Sequence, residues 1–242
     1  MTALYLSRAR LRASRGEALA AIAPLLIPDG TKQQAGHAHR ILWLLFQDIP
    51  DAKRDFLWRD EGGGRYLILS KRPPSDPMGV FELEAQPFEA NLKRGDRLRF
   101  MMRANPVVTT KRAGSKMGAN GKSRGKRVDI VMDALHTVQR GEARRIVRDQ
   151  LVTEKGWLAA QGERAGFILT RPPVIDGYTQ VAVERKPGRP AGFSVLDLAG
   201  EIAIVDPSAF LSKLTRGFGS AKAFGCGLML IRRVKPLQSR HV

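Results

Sequence analysis

The stretch EIAIVDPSAFLSKLTRGFGSAKAFGCGLMLIRRV, residues 201–234, sets an extended run, a helix and a second extended run in close succession. Asp206-Pro207 marks the helix start, because an Asp side chain accepts from the orphan amides of a first turn and Pro fits the turn itself. Residues 208–215 are then helical, with Phe210 and Leu214 four apart on one core-facing stripe. Gly217 ends the helix. Residues 201–205 and 228–234 read as the flanking strands.

Working back from there, residues 193–198, 179–183 and 167–169 are short apolar runs of strand type. Residues 131–158 read as a helical region broken at Gly141 and Gly156. Residues 97–108, RLRFMMRANPVV, alternate charged and apolar side chains at first, as a half-exposed strand does. The order is strand, helix, strands, helix, strand, that of a split βαβ unit. An earlier round runs similarly. Residues 4–6 are a strand, 16–26 an Ala/Leu-rich stretch interrupted by proline, and 39–46 a helix with Ile41, Leu42 and Leu45 on one stripe. Residues 56–58 and 66–69 are strands joined by a turn at 61–64, and an irregular piece precedes the extended segment 80–88. The fold expected is α+β, two ferredoxin-like (RRM-like) βαββαβ domains in tandem over residues 1–94 and 95–242, meeting at the turn 92–96.

Forty-one Lys and Arg against twenty-three Asp and Glu leave a net charge of +18, which points to a polyanionic partner and above all to nucleic acid. A membrane is not expected as that partner: no run reaches the roughly 18 apolar residues of a spanning helix, and MTALYLSRAR lacks the apolar core of a signal peptide. A cytoplasmic protein is expected. Cys226 is the single cysteine, which rules out an internal disulfide and a thiolate zinc cluster and fits a reducing compartment.

Two segments concentrate the charge. The loop 109–128 contains Lys111, Arg112, Lys116, Lys122, Arg124, Lys126 and Arg127 with four glycines. It reads either as a solvated surface loop or as an arm that orders on a phosphate backbone and releases counterions. With only 7% aromatic residues the chain is poor in stacking platforms for splayed bases, so duplex backbone suits it better. The loop 216–227 spaces Gly217, Gly219, Gly225 and Gly227 around Lys222. Such glycines either let backbone amides approach a phosphate or make a tight structural turn. The spacing is neither that of a P-loop nor of a dinucleotide fingerprint.

Histidines are few: His37, His39, His136 and His241. No Cys, His or clustered carboxylates near the His37/His39 pair complete a metal site, so no metal is expected. Proton transfer is what remains for an imidazole at neutral pH.

AHRILWLLFQDIPDAKRDFLWR (residues 38–59), RLRFMMRANPVVTTKR (97–112) and GFGSAKAFGCGLMLI (217–231) together resemble the CasE-type CRISPR repeat-RNA endoribonucleases of subtype I-E. The resemblance spans both halves in the right order. It implies a tandem ferredoxin-like protein that binds the repeat stem-loop and cuts once at the base of the stem, without metal or other cofactor. The product would end in a 2′,3′-cyclic phosphate and stay bound while the enzyme joins the other subunits of the interference complex. Of the two histidines, His39 matches the family's catalytic one. The tyrosine and lysine often found three residues before and five after it are replaced here by Gly36 and Leu44, so Lys32, His37 or Arg40 become auxiliary candidates. Arg103, Lys222 and the cations of the 109–128 loop are the candidate RNA-binding residues. His39 acts as general base or acid, while the RNA's own 2′-hydroxyl is the nucleophile. Two other readings remain: a catalytically weak subunit that only caps the hairpin, and a general RNA-binding ferredoxin-like protein.

Overall fold

The computed structural model describes residues 3–12, 34–49, 52–110, 126–135, 138, 141, 145–146, 148–149, 151, 153, 156–186 and 189–234. The 16–26 stretch, Lys32, Lys111, Arg112, Lys116, Lys122, Arg124, His136 and His241 lie outside the described residues, as does the side chain of Lys126.

The first half contributes β1 (Tyr5–Leu11), α1 (Gln34–Trp43), β2 (Phe56–Gly62), β3 (Arg65–Ser70) and β4 (Phe81–Pro87). They form an antiparallel sheet in the order β2-β3-β1-β4. The second contributes β5 (Arg97–Ala104), β6 (Val107–Thr110), β7 (Lys126–Asp129), α2 (Ile130–Leu135), α3 (Trp157–Ala165), β8 (Phe167–Leu169), β9 (Val174–Lys186), β10 (Arg189–Ile204), α4 (Pro207–Arg216) and β11 (Met229–Arg233). Its sheet runs β11-β5-β10-β8, with β9 paired to the outer length of β10 and β6-β7 forming a separate hairpin. The two orders are equivalent. In each, the opening strand is central, and a later strand separates it from the strand that follows its crossover. That is the ferredoxin-like arrangement repeated. In the first half the second helix is replaced by residues 71–80, where the Asp76 carboxylate accepts from the backbone N–H of Val80 (3.1 Å) and Phe81 (2.7 Å) to turn the chain into β4.

Strand alternation decides the cores. Ala9, Tyr66, Ile68, Phe56 and Trp58 face Ile41, Leu42, Leu45 and Phe46 in one cluster. Leu98, Phe100, Met102, Leu196, Leu198, Ile202 and Ile204 face Trp157, Leu158, Ala165, Phe210 and Leu214 in the other. Leu57 and Leu69 point to the opposite side of the first sheet and are buried in the second cluster. Each fully buried leucine contributes about 1.5–3 kcal/mol, so these two tie the halves together by ordinary apolar burial.

The expected elements shift in three places. The helical region 131–158 is interrupted at Gly141 and Gly156, as expected, but its last helix, Trp157–Ala165, runs beyond 158, because Trp157, Leu158, Gln161 and Ala165 supply a buried stripe. Gly166, left-handed at φ 68°, closes it with its N–H on the Gly162 carbonyl. The separate strands 193–198 and 201–205 are one strand, β10; Gly200 continues it, and its missing Cβ leaves room for the Phe100 ring and Pro173. The strand 97–108 breaks at Asn105-Pro106 into β5 and β6. As expected, Asp206 caps α4 by accepting from the Ala209 N–H at 3.0 Å, and Gly217 ends it. Among the described residues no helix is long and apolar enough to cross a membrane.

Asn105 sits at that break, 2% exposed, and its amide nitrogen donates to the Asp129 carboxylate (2.9 Å) and the Ser194 carbonyl (2.8 Å). Asp129 also accepts from the Ser194 N–H (2.8 Å) and hydroxyl, and its other oxygen takes the Val131 and Met132 amides at the head of α2. The Asn105 carbonyl accepts from Ser220 N–H at 3.1 Å, so one buried network fixes β5, β7, β10 and the loop after α4. Replacing Asn105 by Ala removes a buried donor shared by the Ser194 carbonyl and Asp129 and is expected to lower the unfolding free energy by about 1–3 kcal/mol in urea denaturation, with the denaturant slope unchanged.

Candidate active site

Helical spacing sorts the two histidines. His39 and Trp43, four apart, share one face of α1, and the Trp43 indole N–H donates to His39 Nε2 at 3.2 Å. The imidazole packs edge-on against the Trp43 ring (centroids 6.1 Å apart) and beside the Phe56 ring (5.9 Å). Since Nε2 accepts, the hydrogen of the neutral ring sits on Nδ1, which is shut off from solvent and has no hydrogen-bond partner. The residue as a whole is half-buried, so the ring is not sealed in the core, and Nε2 is the nitrogen that faces chemistry. Burial, with the Arg54 charge added, pushes its pKa down to about 4, so the imidazole is neutral at pH 7. His37, by contrast, is 6% exposed and receives a hydrogen bond from the Arg40 guanidinium (3.1 Å to Nε2), so these two auxiliary candidates bind one another.

Neither position of the family's missing groups is filled by chemistry. A Cβ at Gly36 would meet nothing within 4 Å. Leu44 lies in the 3-10 turn Leu44–Phe46 that tightens the end of α1 and packs against the first core.

The loop after α4 closes the site from the second half. It forms a 3-10 turn, Lys222–Phe224, that packs on α1. Its glycines are all left-handed, with φ of 76° at Gly217, 68° at Gly219, 76° at Gly225 and 92° at Gly227. A Cβ at Gly219 would lie 2.5 Å from the Asn105 carbonyl oxygen, at Gly227 2.6 Å from that of Phe218, and at Gly225 3.1 Å from the Trp58 ring. The close approaches that require glycine are therefore to the protein itself. Gly217, Gly225 and Gly227 are buried, and the structural-turn reading accounts for all four without a ligand.

Lys222, carried by this loop, is half-buried, and its pKa is lowered by burial and then by the charges of Arg54, Arg127 and Arg216. Arg54, in the segment entering β2, is lowered by burial as well. Arg54 was not legible as a site residue: fifteen positions beyond His39, it follows Lys53 in what reads as an ordinary charged connection. Arg127 is exposed and donates to the Ser220 hydroxyl. Thr110 and Lys126 are cross-strand partners on β6 and β7, and this hairpin reaches the loop through Arg127. Among the described residues no carboxylate is ion-paired with Arg54, Lys222, Arg127 or Arg216.

Arg103 departs from expectation. Its guanidinium makes a two-pronged ion pair with Asp197, its cross-strand partner on β10, both bonds at 3.0 Å, which raises its pKa. It is a structural cation, not a free one. Cys226 is buried, its thiol pushed up to about 12 by desolvation, which makes it inert. Among the described residues no three His, Cys, Asp or Glu side chains gather as metal ligands would.

The site thus consists of one neutral imidazole and a set of half-buried cations without counter-charges, assembled across the two halves. The family described as "CRISPR associated protein" matches residues 4–233. The CRISPR system Cascade subunit CasE of Escherichia coli (strain K12) is 26% identical over 196 residues, 79% of this chain and 88% of that protein. The CRISPR-associated endoribonuclease Cse3 of Thermus thermophilus is 32% identical over 150 residues, 60% of each chain. A structure of Cse3 bound to a 19 nt RNA superposes with a TM-score of 0.64 at 24% identity, covering 96% of this chain and 99% of that one, a likeness that speaks to the fold. With a family match that runs through both sheets and the loop joining them, this chain belongs to the CRISPR-associated proteins, in the CasE/Cse3 group.

Proposed function

We propose that this protein binds the stem-loop of CRISPR repeat RNA and cuts it once, as an endoribonuclease that remains on its product as a subunit of a type I-E interference complex in the cytoplasm. The observation that carries this reading is the neutral His39 ring set among unpaired cations contributed by both halves, taken as residues 1–94 and 95–242. CasE and Cse3, by name a Cascade subunit and an endoribonuclease, support it.

The reaction needs little from the protein. The ribose 2′-oxygen attacks the adjacent phosphorus, a 2′-O–P bond forms, and the P–O5′ bond breaks, leaving a 2′,3′-cyclic phosphate and a 5′-hydroxyl. His39 Nε2, unprotonated at pH 7 and so available as a base, accepts the 2′ proton once the 2′-hydroxyl displaces the Trp43 N–H from that nitrogen. The resulting imidazolium returns its proton to solvent, and the departing 5′-oxygen takes one up from solvent. Lys222 offsets charge on the phosphorane. The nucleophile comes with the substrate, so no metal-bound water is called for. The basic segment 109–128 follows the stem by its phosphates, and its affinity falls with salt. A protein that only caps the hairpin would bind the same RNA without cutting it.

His39→Ala is expected to reduce single-turnover cleavage of a labelled repeat hairpin by ~10²–10⁴-fold while leaving its binding intact, with wild-type cutting unaffected by chelator. Equal rates for the two proteins would remove the assignment. Trp43→Phe keeps the ring contacts but deletes a hydrogen bond that only the neutral imidazole can accept. Titration of His39 by NMR is therefore expected to show its pKa moved upward from about 4, towards the ordinary histidine value.

A further inference from the structure

Arg54 is held in place from both sides. Asp55, its neighbour, is gripped by Arg72, whose Nε donates to the Asp55 carboxylate at 2.8 Å. The same guanidinium donates to Asp48 and to the Phe46 carbonyl (3.2 Å) and stacks over the Phe46 ring at 5.3 Å. Lys71 N–H bonds the Asp55 carbonyl at 3.3 Å. On the following residue, the Phe56 ring lies 4.4 Å from Phe46 and 5.9 Å from the His39 imidazole. The end of α1, the segment before β2 and the end of β3 are thereby one rigid corner, and Arg54 projects from it. The nearest carboxylate in sequence is committed to Arg72, and Arg54 itself has no ion-pair or hydrogen-bond partner among the described residues. It is half-buried nonetheless, within electrostatic reach of both His39 and Lys222. The groups acting on His39 are Trp43 on its own helix and Phe56 and Arg54 from the β2 side, while the Lys222 turn packs on the same helix from the other half.

A half-buried guanidinium without a partner is costly, and a fold that clamps its neighbour to hold it there favours an anionic ligand at that point. We propose that Arg54 contacts the scissile phosphate together with Lys222 and stabilises the charge that builds on it as the 2′-oxygen attacks. It rests on the ribonuclease reading above and names the residue that supplies the charge for which Gly36 and Leu44 provide no group.

The test compares wild type, Arg54→Ala, Arg54→Lys, Arg10→Ala and His39→Ala on one repeat hairpin. Cleavage is measured in single turnover at fixed salt, and binding with the same hairpin carrying a 2′-deoxy ribose at the cut. Arg54→Ala is expected to slow cleavage by ~10²-fold with binding of the uncleavable hairpin within ~3-fold of wild type. Arg54→Lys restores most of the rate, and Arg10→Ala, which removes an exposed charge on β1, changes nothing. Because Arg54 helps hold the His39 pKa down, the acid limb of the rate–pH profile moves to higher pH in Arg54→Ala and stays in Arg54→Lys, which a merely structural role would not produce. If Arg54→Ala does not fold, Arg54→Gln takes its place in each comparison. Cutting by Arg54→Ala within ~3-fold of wild type while His39→Ala is inactive overturns the proposal alone, as does a loss of rate matched by an equal loss of binding. Full-speed cutting by His39→Ala, or none by wild type, overturns the ribonuclease reading and this proposal with it.

Discussion

One close approach governs the rest of the molecule: the loop after α4 passes so near β2 that side chains cannot stand between them. A Cβ at Gly217 would lie 2.8 Å from Leu57, and one at Gly225 would press on Trp58. Leu57 in turn is buried in the second core although it belongs to the first sheet. The consequence is geometric. With the loop seated on β2, its Lys222 turn falls against α1, the helix that carries His39, and Lys222 comes within electrostatic reach of Arg54 from the other ferredoxin-like unit. The Asn105–Asp129–Ser194 network secures the opposite side of that loop through Ser220, so its position is set from both directions.

The charges around the site are arranged by subtraction. Several basic residues away from the site have carboxylate partners: Arg72 takes Asp48 and Asp55, while on the second sheet Arg97 and Arg99 share Glu201 and Arg103 takes Asp197. On the outer face of the second sheet, where an RRM would present aromatic rings, the strands instead carry these ion pairs. Cations whose acids are already used cannot recruit a polyanion strongly. Arg54, Lys222 and Arg127, which have no carboxylate partner among the described residues, lie at the junction of the halves and at the root of the 109–128 segment, where a phosphate backbone gains by displacing small ions.

The fold was legible in the sequence wherever local chemistry and tertiary context agreed. Asp206-Pro207 capped a helix, Gly217 ended it, and the residue-by-residue alternation in RLRFMM marked a central strand. Gly156 lies outside the helices as expected, but the run of the last helix on to Ala165 was not legible, because it depends on the burial of Trp157, Leu158, Gln161 and Ala165. Gly200 misled because a glycine inside a strand marks a turn or a close neighbour, and here the neighbour is Phe100. At the candidate site, His39 was singled out by its motif, and its helix brings it beside Trp43 and Phe56. The role of the glycines was not legible, because the surfaces they approach, Trp58 and the Asn105 carbonyl, lie more than a hundred residues away. Arg103 and Arg54 exchanged expectations for the same kind of reason. The partner that neutralises the first lies across a sheet, and the clamp that leaves the second unpaired is formed by Arg72.

A low-pKa imidazole among cations also has a consequence for the empty site. The folded pKa of His39 lies below its ordinary 6.5, so the ring is indifferent to pH above that value and disfavours the fold as pH falls from 6.5 towards 4, where the unfolded chain binds a proton more readily. A bound phosphate acts in the opposite sense. It relieves the mutual repulsion of Lys222 and Arg54 and favours the protonated ring, so RNA binding and protonation of His39 reinforce one another. In the proposed reaction the same attraction would persist after cleavage, since a 2′,3′-cyclic phosphate keeps its negative charge. An enzyme that holds its product by the charges that lowered its barrier turns over slowly, and slow release is what a subunit built to stay on one RNA requires.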